Sequence, residues 1–206
     1  MSRGVPVERH AAWLIDLDGT LYKPLPVKLA MAAELLLFGR VHLAAIRAFR
    51  KHHELLRENT DAQDPNPFDQ QLIGAAAELN IEPESLRSIV QEWMVERPGK
   101  WIRRFRRGRL LAEITTFRAS GGKTALVSDY PASSKLAALG ARDLFDVVIS
   151  NGEPDGPTRL KPCPDGYLAA AQKLATNPSD CLVIGDRRDA DGLAASQAGM
   201  EFRLIG

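Results

Sequence analysis

The sequence predicts an α/β protein, a parallel sheet interleaved with helices and interrupted by one long all-helical insertion. Three observations predict it. Short runs rich in Val, Ile and Leu end abruptly in acidic or hydroxyl residues. Helical patterns alternate with those runs. Between Pro24 and about Gly108 the pattern is helical only.

The runs with polar ends are Ala12 to Ile15 before Asp16, Thr124 to Val127 before Ser128 and Asp129, and Cys181 to Ile184 before Gly185 and Asp186. Val147 to Ile149 and Phe202 to Ile205 are similar but lack an acidic end. Such short, continuous apolar runs suit strands buried on both faces of a parallel sheet. Between them, Leu110, Leu111, Ile114 and Phe117 fall at helical spacing, and Gly121-Gly122 stops that helix. Leu136 and Leu139 belong to a short helix closed by Gly140. Residues 165–175 and 189–198 supply two more, the last ended by Gly199. Strand and helix in alternation make right-handed crossovers on an open sheet.

The insertion has its own signals. Val41, Ala45, Ala48 and Leu55 follow a 3.6-residue period, as do Leu86, Ile89, Val90, Trp93 and Met94. Pro67 and Pro83 stand in first helical turns, where a missing N–H costs nothing, and Pro98-Gly99 is a stop. The expected division is a core of residues 1–24 and 109–206 and an inserted helical domain of residues 25–108. The insertion leaves the chain just after the first strand, so it is placed to lie over a site at that strand's end, like a lid.

Composition excludes several classes. The 206 residues are 45% apolar and 26% charged, ordinary for a globular domain. Formal net charge is +1, from 27 basic and 26 acidic residues, which argues against a nucleic-acid surface. Two cysteines, Cys163 and Cys181, suggest neither a disulfide framework nor a zinc site, so a reducing cytoplasm is expected. The segment Met1 to His10 is polar and lacks a signal-peptide stretch. The most apolar window, Leu29 to Phe38, holds Glu34 and is too short to cross a bilayer.

In open parallel sheets ligands bind beyond the carboxyl ends of the strands. That rule gathers Asp16, Asp18, Ser128, Asp129, Asp186, Asp189 and Asp191 into one crevice. So many acids repel one another unless cations are present. Lys161 is one; a divalent ion is the natural other, and oxygen ligands without His or Cys select magnesium.

In order along the chain stand Asp16-Leu17-Asp18-Gly19-Thr20, Ser128-Asp129, Lys161-Pro162, and Gly185-Asp186-Arg187-Arg188-Asp189-Ala190-Asp191. These resemble the four motifs of the haloacid dehalogenase (HAD) superfamily, and the resemblance spans the chain. The insertion resembles the helical cap of phosphoglycolate phosphatase-like members. The resemblance implies a Rossmann-like three-layer sandwich with strand order 5-4-1-2-3. It implies a phosphatase of a small phosphorylated metabolite, with Asp16 as nucleophile and Asp18 as general acid and base. Magnesium would be held by Asp16, the backbone carbonyl of Asp18, Asp186 and a second acid. Gly19, Thr20, Ser128, the Asp129 backbone and Lys161 would hold the phosphoryl group. The second acid can follow the first by three to five positions, so Asp189 and Asp191 both qualify; the residues after Asp191 favour it, leaving Asp189 as a helix cap. Dehalogenase relatives lack an acid matching Asp18. A phosphomutase and a catalytically silent phosphate-binding regulator are the alternatives.

Other features have plainer readings. Gly122-Lys123-Thr124 imitates the end of a phosphate-binding loop, but Phe117 stands where its first glycine belongs. Lys100 to Arg109 holds six basic residues among ten and reads as a solvated hinge face. His42, His52 and His53 are expected at exposed helix positions.

Overall fold

The computed structural model describes residues 10–58 and 66–206; the polar segment 1–9 lies outside the described residues. Five parallel strands, β1 (Ala12–Asp16), β2 (Lys123–Ser128), β3 (Val147–Ser150), β4 (Cys181–Gly185) and β5 (Glu201–Leu204), form one sheet in the order β3-β2-β1-β4-β5. This is the order expected from the motifs. β1 lies at the centre, with Asp16 beside Val127 and Ile15 beside Ile184.

Alternation along β1 divides two apolar layers. Trp13 and Ile15 point to the face covered by α6 (Gly108–Ala119) and α7 (Ser133–Leu139), where Trp13 stacks on Phe117 at 4.2 Å between ring centroids. Ala12 and Leu14 point to the face covered by α8 (Asp165–Lys173) and α9 (Leu193–Gln197). All five β1 residues are buried, so the strand is fixed from both sides. The expected helix over 189–198 is instead a wide turn of π-type winding, Arg188–Gly192, followed by the short α9. Asp191 is buried within that turn.

Between β1 and β2 the chain is helical, with α1 (Pro24–Phe38), α2 (Leu43–Glu58), α3 (Pro67–Leu79), α4 (Pro83–Val90) and α5 (Gly99–Arg104). Residues 91–96 continue α4 with π-type winding. Helices α2 to α4 pack around their own apolar centre, including Phe49, Phe68, Leu72 and Leu86. The stripe expected on α2 is partly wrong. Val41 lies in a 3-10 turn before the helix and is exposed, as is Leu55; the inward face is Ala45, Ile46, Ala48, Phe49 and His53. The two crossings between helices and sheet meet in a short antiparallel bridge, Tyr22 with Arg106. Among the described residues no single helix is long and apolar enough to cross a membrane.

Candidate active site

The carboxyl ends of β1, β2 and β4 carry Asp16, Ser128 and, one residue beyond Gly185, Asp186. Parallel registration brings them side by side, as the strand-end rule requires. Two glycines make the approach possible. Gly19 adopts φ +98°, and a Cβ there would stand 2.0 Å from the Asp186 carboxylate. A Cβ on Gly185 would stand 2.4 Å from the Asp191 carboxylate. Neither position tolerates a side chain while the acids keep their places.

Lys161 is the cation among these acids. Its Nζ donates to Asp16 Oδ1 at 2.5 Å, to Asp191 Oδ1 at 2.8 Å and to the Val127 carbonyl at 3.2 Å. Burial opposes its charge most strongly, but Asp16, Tyr167, Asp191 and Asp129 together outweigh burial and the Lys161 pKa lies well above the usual lysine range. Burial, with Asp191 beside it, pushes the Asp16 carboxyl well up against the pull of Lys161. Thr20 Oγ1 donates to the other Asp16 oxygen at 2.9 Å. Asp191 also accepts from the Tyr167 hydroxyl at 2.9 Å and from the Arg187 N–H at 3.1 Å.

Asp16, Asp186 and Asp191 each offer an oxygen within 4.8 Å of the others. Three carboxylates against one lysine leave surplus negative charge, and the donor set is all oxygen. These residues fit a hard divalent cation. Asp189 stands outside this group; its exposed carboxylate pairs with Arg187 at 2.6 Å and caps no helix.

Asp18 faces another cation. Lys135 Nζ, from α7, donates to both its oxygens at 2.6 and 2.7 Å, and the Tyr22 hydroxyl donates at 2.5 Å. Burial would raise the Asp18 pKa, but Lys135 and then Tyr22 outweigh it and hold the carboxyl below the usual range. Ser128 Oγ donates to the Tyr130 carbonyl at 2.8 Å, and Asp129 Oδ1 accepts from the Lys161 N–H at 3.2 Å. The loop that presents Lys161 is fastened by Asp165, which takes Arg159 at 2.8 Å and Thr158 at 2.7 Å.

A cavity of about 670 Å³ opens above these groups, with Asp16, Asp18, Asp186 and Asp191 in its floor. Its wall comes from α1, α2 and the segment 91–96 and includes Val27, Arg50, His53, Arg57 and Trp93. Arg57 Nε reaches the floor directly, donating to the Lys161 carbonyl at 2.8 Å. His53, expected to be exposed, is 3% exposed, because it lies on the inward face of α2 against Tyr130. His52 pairs with Glu78 at 3.0 Å.

A family model described as haloacid dehalogenase-like hydrolase matches residues 11–199. The chain belongs to that family. It is 25% identical over 205 residues to the fructose-1-phosphate phosphatase of Escherichia coli, covering 94% of this chain and 95% of that one. It is 26% identical over 204 residues to that organism's 5-amino-6-(5-phospho-D-ribitylamino)uracil phosphatase, covering 95% and 83%. In fold it is similar to the β-phosphoglucomutase of Clostridium difficile, with TM-score 0.61, 18% identity, and 96% and 85% of the two chains covered. In this HAD-like hydrolase Asp16, Asp129 and Asp186 stand at or just past the carboxyl ends of β1, β2 and β4.

Lys135, Tyr22, Tyr167 and His53 were not singled out as site residues by sequence. Tyr22 had a signal, since it follows Asp18 by four residues in a tight turn. Lys135 had none, because its partner is 117 positions away.

Proposed function

We propose that this hydrolase is a magnesium-dependent phosphatase of a small phosphorylated metabolite, acting through an aspartyl-phosphate on Asp16. One observation carries the reading. Asp16 ends the central strand with one oxygen on Lys161 and the other on Thr20, inside a carboxylate group suited to a divalent ion. Relatives along nearly the whole chain are phosphatases of small metabolites.

The residues divide the work as follows. An Asp16 oxygen attacks phosphorus while the bond from phosphorus to the leaving oxygen breaks, and Asp18 gives that oxygen its proton. Water then attacks the phosphorus of the aspartyl-phosphate, Asp18 takes the water's proton, and inorganic phosphate leaves. Lys161 offsets the charge of nucleophile and phosphoryl group throughout. Asp18 is held ionised by Lys135, which suits the second half. A phosphoryl dianion entering beside it raises its proton affinity for the first half. Gly19 and the Asp129 backbone would contact the phosphoryl oxygens; Ser128 would join them by turning its hydroxyl from the Tyr130 carbonyl. Bound magnesium, held by Asp16, Asp186, Asp191 and the Asp18 carbonyl, would neutralise negative charge on the transferring group.

Residues 25–108 serve in this reading as a cap domain that excludes water and reads the substrate beyond its phosphate. The contact from Arg57 to the Lys161 carbonyl supports it. The unpaired, buried Cys163 and Cys181 suit action in a reducing cytoplasm.

The test is phosphate release across a panel of phosphorylated metabolites, with magnesium and with a chelator. Release that needs magnesium and no bisphosphate activator is expected. Turnover only with such an activator would make the protein a mutase, and none on any phosphomonoester would make it a binding protein.

A further inference from the structure

His53 is a buried imidazole at the cavity wall that the proposed chemistry does not use. Its protonation pattern is fixed by a chain of contacts. Gln71 Nε2 donates to the Phe49 carbonyl at 2.8 Å, and a carbonyl only accepts. The amide of Gln71 therefore turns its oxygen to His53 Nδ1, 3.2 Å away. An amide oxygen also only accepts, so Nδ1 carries the proton. Burial lowers the His53 pKa, outweighing the attraction of Asp129, so the ring is neutral. Nε2 is then an acceptor, and it has no hydrogen-bond partner among the described residues. The ring cannot turn freely, because it stacks on Tyr130 at 4.3 Å between centroids and 15° between planes. Tyr130 also lines the cavity, two residues after Ser128.

A fixed acceptor in an enclosed site selects a donor and rejects an oxyanion. The geometry points to His53 Nε2 as a specificity-determining group that accepts a hydrogen bond from a substrate hydroxyl, making the substrates phosphorylated polyols or sugars rather than phosphorylated carboxylic acids. This rests on the phosphatase reading and names the substrate class of the same site. The competing features are Arg50 and Lys28, exposed cations of the same wall, which would suit a carboxylate tail.

Steady-state kinetics on sorbitol 6-phosphate, fructose 1-phosphate, phosphoglycolate and phenyl phosphate tests it, with the parent protein, His53→Asn and His53→Gln. Asn keeps a donor toward Gln71 and places nothing at Nε2; Gln can carry an acceptor to that point. The parent should prefer the polyol and sugar phosphates to phosphoglycolate. His53→Asn should lower kcat/KM on them about 10-fold, the loss of one good hydrogen bond, and leave phenyl phosphate within about 2-fold. His53→Gln should restore much of the loss. Equal losses on phenyl phosphate in both variants would make His53 a packing residue and overturn the assignment. So would unchanged ratios, or a parent preference for phosphoglycolate. A parent protein inactive on every ester would overturn the phosphatase reading itself, a distinguishable result.

Discussion

The floor of the cavity and its helical wall handle polar groups in opposite ways. In the floor, Asp16 is shared between Lys161 and Thr20, Asp18 between Lys135 and Tyr22, and Asp191 among Lys161, Tyr167 and the Arg187 N–H. Thr20, Tyr22 and Arg187 are neighbours in sequence, four residues from their acids, but the two lysines are 145 and 117 positions from Asp16 and Asp18, so each charge is balanced across the sheet. In the wall, Arg50 is exposed to the cavity and His53 offers an unbonded ring nitrogen. A preorganised floor has its charges placed before substrate arrives, which is what a common chemical step requires. A wall with open donors and acceptors completes its hydrogen bonds only with the right substrate. The two regions thus separate reaction from selection, and substitutions should separate the same way.

The largest effect should come from the floor. Asp18→Asn removes the group that moves the proton, and turnover should fall by about 10²–10⁴-fold on esters with poor leaving groups. Esters that leave without a proton should lose less in the first half-reaction. The check is the rate of product release in a single turnover against leaving-group pKa; equal losses across the series would remove Asp18 from the acid role. The wall variant His53→Asn should show the opposite signature, sparing the simple aryl ester and slowing the selective substrate.

The smallest effect concerns the loop that presents Lys161. The Arg159 guanidinium beside Asp165 brings its carboxyl down to about 2, against an unfolded value of 3.8. A depressed folded pKa gives stability that is present above the unfolded value and lost as pH falls toward the folded one. Asp165→Asn should therefore cost about 1 kcal/mol at neutral pH, discounted for partial exposure of the pair. That difference should vanish between about pH 4 and pH 2, which thermal unfolding across that range checks. A gap that persists at pH 2 would mean the residue acts through packing.

The sequence made the sheet legible because strands buried on both faces leave continuous apolar runs, and polar ends mark where those runs stop. The floor was legible for the same reason: Asp16, Ser128 and Asp186 sit at or just past strand ends, a local property. The strand-end rule placed Asp189 and Asp191 alike, and the choice of Asp191 came only from the resemblance of the residues after it. The helical segment read less well. Val41 and Leu55 keep the spacing of an inward face yet stand in solvent, because spacing cannot tell which side meets a neighbour. His53 shares that face with Phe49, but a histidine there gives no apolar signal. Lys135 became visible only when α7 was placed against the turn holding Asp18.

The central claim is that phosphorus bonds transiently to Asp16. The direct measurement uses the Asp18→Asn variant, in which the second half-reaction lacks its base and the intermediate accumulates. The variant is loaded with p-nitrophenyl phosphate and magnesium, quenched in acid and reduced with borohydride, which converts an acyl phosphate to an alcohol. Peptide mass spectrometry should find homoserine at position 16, and none when Asp16→Asn is also present. Nitrophenol release with an unmodified residue 16, or with the reduced product elsewhere, would contradict the account.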